Sequence, residues 1–339
     1  MPTSEPIDLA ELEGAAFDRL WHARIEPMLR SHEQARLAGV GKFRTGLAAT
    51  VPASAAVAAA VWSFGQDVDA TAMGAMITGL GGYVLARRPL DKAGATAQTA
   101  LISEIAGSVG VTYQPSGFAP PAFARMRELE LFPDYHRNRF TDLFHGTRHG
   151  CSFDLFEAHL ERESRDKDGD RRYTTVFHGQ LIRVAFPKPY LGVTVVRRDA
   201  GVFNGLRAAL NAFGLANSRP KLERVALVDP KFERLFEVYS NDQVEARYLV
   251  HPMFVERLMD VETVCGGQRV RCAFQGGDLL VAIESGDRFK LNGLFSTFLS
   301  PERARLIIED LRAVTRLIDA VLTAEKAPLV RRSGAASGV

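Results

Sequence analysis

Apolar residues recur every three or four positions near the start of the chain: Leu9, Leu12, Phe17, Leu20, Trp21, Ile25, Met28 and Leu29, with charges between them. That spacing puts them on one side of a helix, so one long amphipathic helix is predicted over 7–38. Packing against the rest of the chain is the ordinary use of such a stripe; self-association or rest on a membrane surface is the sharper one.

The pattern then gives way to two stretches without any charge. "TGLAATVPASAAVAAAVWSFG" spans 45–65 and "ATAMGAMITGLGGYVLA" spans 70–86. About 20 helical residues cross a bilayer core, so the first is long enough and the second needs its flanks. Small residues suit close helix contact in lipid, and Gly74, Gly79 and Gly82 make a candidate contact face. Pro52 is expected near a helix start, where its missing N–H matters least. Lys42 and Arg44 precede the first stretch, Arg87, Arg88 and Lys92 follow the second, and the loop "QDVD" has neither Lys nor Arg. Cations collect on the cytoplasmic side of membrane helices, which predicts a transmembrane hairpin with both ends in the cytoplasm. A pair of buried Ala-rich helices in a soluble core is the other reading of the same stretches.

A helical period resumes through Leu90, Ala97, Leu101 and Ile105, and "GVTYQP" reads as a short strand ahead of a turn-rich passage and a short helix. From about 140 the period is that of strands. "DLFHGTRHGCSFDLFEAHL" predicts a hairpin turning near Gly150, and "ERESRDKDGDRR" (161–172) a solvated loop. "YTTVFHGQLIRVAFP", "LGVTVVRRD", "LERVALVD" and "FERLFEVYS" are further strands, with a helix over 203–213 among them. "RVRCAFQGGDLLVAIES" is a hairpin turning at Gly276–Gly277, and a last helix starts at Ser300-Pro301 and runs to about Ala324.

"SNDQVEARYLVHPMFVERL" (240–258) reads as two helices. Ser240 is placed as the N-cap, with Gln243 completing a capping box and Asp242 in the first turn. Val244, Tyr248 and Leu249 form one side of the first helix. Pro252 breaks it, and Met253, Phe254, Leu258 and Met259 supply the apolar face of the second. The pair is expected to cover one face of the sheet, with Phe236 in the core beneath it.

Composition changes this picture little. Lys+Arg 42 against Asp+Glu 40 argues against a dedicated nucleic-acid binder. Cys151, Cys265 and Cys272 form no CxxC pair, which suits a reducing compartment, and the acidic N-terminus shows no signal-peptide core.

"VDPKFERLFEVYSNDQVEARYLVHPMFVERL" resembles the strand–helix core of a bacterial family catalogued as domain of unknown function 3137. So do "FHGQLIRVAFPKPYLGVTVV", "HGTRHGCSFDLFEAHLE" and "AFQGGDLLVAIESGDRFKLN", over roughly 95–295. The resemblance implies a membrane-anchored protein with two hydrophobic helices ahead of a cytoplasmic domain. It implies no activity and carries no catalytic residues.

Candidate chemistry is sparse. "GVGKFRT" lacks a phosphate loop's first glycine, Arg36 standing there, and has Phe43 where Ser or Thr must reach magnesium. "TGLGGY" follows no strand, so it makes no dinucleotide site. His145 and His149, with Cys151 and His159 nearby, lack a convincing set of metal ligands and read as a hairpin rim. Asp242, Glu245, Arg247 and Tyr248 form a candidate polar cluster at the start of the 241–250 helix.

The sequence therefore predicts an α+β fold with a mainly antiparallel sheet. The expected domains are an amphipathic helix (1–42), a transmembrane hairpin (43–88), a cytoplasmic domain (89–325) and a disordered tail (326–339). The function expected is a membrane-anchored binding or scaffolding module of the bacterial inner membrane. It has a protein partner, no cofactor and no metal, and self-association through the N-terminal helix is open to it. The alternative is a membrane-bound, hydrolase-like enzyme built on Asp242, Glu245 and the histidines.

Overall fold

A computed structural model of the chain describes residues 7–9, 11–65, 67–165, 170–187, 189–198, 222–226, 233, 235–286 and 297–326. Two compact units are present: Met1–Val109 with Phe289–Ile308, and Gly110–Arg288 with Glu309–Val339. The helix expected over 203–213, the turn at 229–231 and the tail after 326 lie outside the described residues.

The first unit is a helical hairpin. Gly14–Leu20 (α1), a widened π turn at Trp21–Ile25 and Glu26–Gly65 (α2) follow without a gap, and Val68–Ser108 (α3) returns beside α2. The helix expected over 7–38 begins only at Gly14, and from there it joins the 45–65 stretch into one rod, as 70–86 and 90–108 join into another. Pro27 has no N–H to give the carbonyl four residues back, and the widened turn lies directly ahead of it. Pro52 is a correction: it sits well inside α2, because the helix begins long before residue 45. The neighbouring helical bonds and the packing against α3 hold the rod together around it.

Packing sets how closely the two helices approach. A Cβ on Gly82 would fall 1.5 Å from Thr50 Cγ2, one on Gly46 2.9 Å from Ala86 Cβ, and one on Gly74 3.4 Å from Val57. Gly79 faces Ser54 at 3.6 Å. The three glycines singled out in the second stretch therefore do meet the first. Nearer the chain start Phe17, Leu20, Trp21, Ile25 and Leu29 are buried, so the apolar stripe of the N-terminal helix is covered, and Leu9 and Leu12 ahead of the helix are buried too. Leu90, Leu101, Ile102 and Ile105 of α3 join them, with Phe298 and Ile307. Arg24 pairs with Glu104 at 2.7 Å, and Glu33 accepts from the Phe298 amide at 2.9 Å.

Among the described residues the second unit is built on a nine-stranded antiparallel sheet. Its strands are Thr112–Gln114 (β1), Arg137–Arg148 (β2), Cys151–Arg165 (β3), Arg171–Ala185 (β4), Thr194–Arg198 (β5), Glu223–Arg224 (β6), Phe236–Ser240 (β7), Gln268–Gln275 (β8) and Asp278–Glu284 (β9). The spatial order is β1-β2-β3-β4-β9-β8-β5-β7-β6. The β2–β3 turn uses His149 and Gly150 at φ 49° and 82°, and the β8–β9 turn Gly276 and Gly277 at φ 60° and 92°. Both are the left-handed pairs that tight hairpins require.

Side chains alternate between the two faces of the sheet. One set, including Phe156, Leu160, Phe177, Leu181 and Leu280, packs with Phe123 and Met126 of Phe123–Glu128 (α4) and with Leu131 and Phe132. The other includes Phe274, which meets Phe254 at 5.2 Å between ring centroids. Phe254 belongs to Pro252–Val264 (α6), which follows Gln243–Leu249 (α5). The last helix, Pro301–Lys326 (α7), is counted with the first unit to Ile308 and with the second from Glu309. Phe236 is 1% exposed.

Several local readings change. The expected loop 161–172 is mostly strand: β3 reaches Arg165 and β4 begins at Arg171. A ribbon wetted on both faces needs no apolar residues, and cross-strand polar pairs suit it. Here Glu163 meets Arg171 at 3.4 Å and accepts from the Tyr173 hydroxyl, and Arg137 lies over the Tyr173 ring at 4.5 Å. In α5 the buried side is Ala246 and Leu249, while Val244 is 78% exposed. In α6 it is Phe254, Val255, Leu258 and Val261, with Met253 turned outward.

Candidate functional site

Two features carry chemistry: the outward surface of the hairpin, and the polar clusters of the sheet unit. Toward the turn, the last buried residues are Phe43 on α2 and Ala86 on α3. From there to the turn the surface is apolar and open, including Leu47, Val51, Met73, Met76, Ile77, Leu80, Val84 and Leu85. Each helix is long and apolar enough to cross a membrane, and none of the apolar window is buried. That is the opposite of core helices in a soluble protein, whose windows face inward. Arg44 to Gly65 rises about 32 Å at 1.5 Å per residue, close to the ~30 Å of a hydrocarbon core. Trp62 and Phe64 are exposed near the turn and Tyr83 near the other end, where membrane proteins place aromatic belts. Asp67 caps α3, its carboxylate accepting from the Asp69 and Ala70 amides.

The predicted polar cluster is resolved into separate tasks. The cap of α5 is Asp242, whose Oδ1 accepts from the amides of Val244 at 3.0 Å and Glu245 at 2.9 Å. Ser240, placed at the cap from sequence, ends β7 instead. It is fully buried, 2.9 Å from Thr194 Oγ1, and accepts from the Asp242 amide. Glu245 grips the loop ahead of β5, accepting from the amides of Leu191 and Gly192, each at 2.8 Å. Asn241 takes the next amide, Val193, at 2.6 Å. Gly192 is needed there: a Cβ would lie 2.7 Å from Asn241 Oδ1 and 2.9 Å from Asp242 Cβ. Arg247 donates to Gln243 at 3.3 Å, and Tyr248 is half-buried.

The histidines lie elsewhere. His145 on β2 meets Asp154 at 2.7 Å, and Asp154 also accepts from Arg183, which reaches Asp278 at 3.2 Å; Arg125 of α4 ends the chain on Asp278. His178 meets Glu157 at 3.0 Å and stacks on His159, whose ring nitrogen faces Thr175 Oγ1 at 2.9 Å. His149 is in the turn, 3.5 Å from Asp319. β4 stands three strand spacings from β5, whose leading loop Glu245 holds, and four from β7, so the histidines of β2–β4 and the Asp242–Glu245 group are separated by roughly 14 Å or more across the sheet. The fold does not gather them into one site. Among the described residues no group of three or more His, Cys, Asp or Glu could hold a metal ion.

One residue escaped the sequence reading. His251 is the N-cap of α6, its Nδ1 facing the Phe254 amide at 3.4 Å. Burial lowers its pKa, and the Ala320 backbone opposes that shift. A cap-capable residue directly before Pro252, at the first helical position, was the available signal.

Comparison with known proteins agrees with the strand–helix core just described. Residues 175–322 match the family described as Protein of unknown function (DUF3137). The DUF3137 match begins inside β4, takes in β5 to β9 with α5 and α6, and ends inside α7. The "HGTRHGCSFDLFEAHLE" motif and the hairpin lie ahead of it. A solved structure, the crystal structure of the mycobacterial trehalose monomycolate transport factor A, TtfA, aligns over 66% of this chain and 96% of its own, at 12% identity and a TM-score of 0.33. No curated protein matches the chain.

Proposed function

We propose that the protein is a membrane-anchored binding or scaffolding module. Residues 45–86 hold it in the bacterial inner membrane as a two-pass hairpin with both termini in the cytoplasm. The observation that carries this reading is the apolar window on α2 and α3, of which nothing is buried. Each large apolar side chain moved from water into lipid contributes about 1.5–3 kcal/mol, and both helices satisfy their own backbone groups. The cations at one end and their absence at the other favour the cytoplasmic placement. A binding role is favoured over an enzymatic one because Asp242 and Glu245 hold backbone amides and stand apart from the histidines.

The test has two arms. Alkaline phosphatase fused at Asp67 should be active and the same enzyme fused after Val339 inactive; the reverse pattern, or a chain wholly in the soluble fraction, overturns the anchor. Affinity purification from native membranes should then return one reproducible protein partner. No partner, together with turnover in a substrate screen, replaces the module with a membrane-bound enzyme.

A further inference from the structure

We propose that Lys42, Arg44, Arg87, Arg88 and Lys92 form a collar around the hairpin that binds the phosphates of anionic phospholipid headgroups. The proposal rests on the membrane anchorage above and adds a ligand to it.

Helix register brings the five together. Gly46 lies against Ala86 and Gly39 against Leu90, so residues 42–44 of α2 are level with 86–90 of α3. Phe43 is buried and meets the Tyr83 ring at 5.9 Å, which fixes the side of α2 that faces α3. Lys42 and Arg44 are each about 100° from it around the helix, in opposite directions. On α3 the buried positions at this level are Ala86 and Leu90. Arg87 stands beside that line, while Arg88 and Lys92 are one turn apart on the far side. All five are exposed, so positive charge surrounds the hairpin.

Pairing marks the collar off from the stretch of the rod that holds Arg24, Arg30 and Arg36. Further from the apolar window, Arg24 is paired with Glu104, Arg30 with Glu26, and Arg36 with Glu33. At the collar only Arg87 has an acid, Asp91 at 3.2 Å. Lys42, Arg44, Arg88 and Lys92 have no acidic partner among the described residues. They lie where the exposed apolar surface begins. In a bilayer that level is occupied by headgroups, and phosphate is the anion there.

The test uses the full-length protein in phosphatidylcholine vesicles containing a minority of phosphatidylglycerol. Flotation scores insertion; gentle detergent extraction and lipid analysis score which lipid is retained. Phosphatidylglycerol should be enriched over the bulk on the order of fivefold, the size one cation near an anionic surface gives. K42Q/R44Q/R87Q/R88Q/K92Q should float equally and retain lipid at the bulk ratio. K42R/R44K/R88K/K92R should keep the enrichment. Wild-type protein that floats but retains lipid at the bulk ratio, or a glutamine variant as enriched as wild type, overturns the collar. Failure of the wild type to float overturns the anchorage itself, and the collar with it.

Discussion

Glu245, a member of the candidate polar cluster in the sequence, behaves like a clamp in the fold. Its two oxygens hold the Leu191 and Gly192 amides, so Glu245→Ala should cost about 2 kcal/mol in chemical denaturation. Asp242→Ala, which removes a cap, should cost about 1 kcal/mol. Unchanged stability in both would return them to the list of candidate catalytic groups. Phe236→Ala removes a ring 1% exposed and should cost about 3–5 kcal/mol; a melting temperature within error would contradict that placement. His251 adds a pH dependence. Its folded pKa lies below the ordinary 6.5, so as pH falls the unfolded chain protonates first. The stability carried by neutral His251 is therefore present above 6.5 and lost below it. His251→Asn keeps a cap acceptor without titrating, so wild type should lose stability relative to it between about pH 7.5 and about pH 5.5. The polar residues were legible as a cluster, but their separate tasks were not. Which amide a carboxylate meets depends on a loop some fifty positions away in the chain, and no local pattern encodes that.

Elements divide in the same way. The β2–β3 and β8–β9 hairpins were readable because their turns need left-handed residues, and the sequence offers His149-Gly150 and Gly276-Gly277. The extent of α2 and α3 was not, since a switch from amphipathic to uniformly apolar pattern looks like an element boundary. It is instead one continuous helix, with large side chains buried at one end and an apolar surface left open at the other. The small residues that join these helices give a test. Ser54→Cys with Gly79→Cys should form a disulfide on mild oxidation, because a Cβ at 79 lies 3.6 Å from Ser54 Oγ. Adding Gly82→Ile should suppress it, since even a Cβ there overlaps Thr50. Equal cross-linking with and without the isoleucine would show that the two rods do not pack in this register.

For the whole molecule, the class was legible and the strand order was not. Hairpins and helices in this sequence predict an α+β antiparallel fold, which is what forms. The insertion of β9 between β4 and β8 joins residues 179–185 to 278–284, and alternation of side chains is compatible with many such partners. The proposed anchorage by two spans rather than by surface contact predicts that alkaline carbonate leaves the chain in the membrane pellet and detergent releases it. Release by carbonate would mean that the exposed apolar window is covered by protein.

Between Arg44 and Arg87 the chain contains neither lysine nor arginine, and α2 and α3 are separated only by residues 66 and 67. With the hairpin in a bilayer, the face away from the cytoplasm would show little more than that turn. Trypsin added to spheroplasts would find nothing to cut there, and amine-reactive surface labels would find no target. After solubilisation and full digestion the entire anchor would leave as one long apolar peptide from Thr45 to Arg87, charged only at Asp67, Asp69, Arg87 and its termini, which routine peptide mapping tends to miss. Cleavage at Met73 and Met76 with cyanogen bromide would recover it.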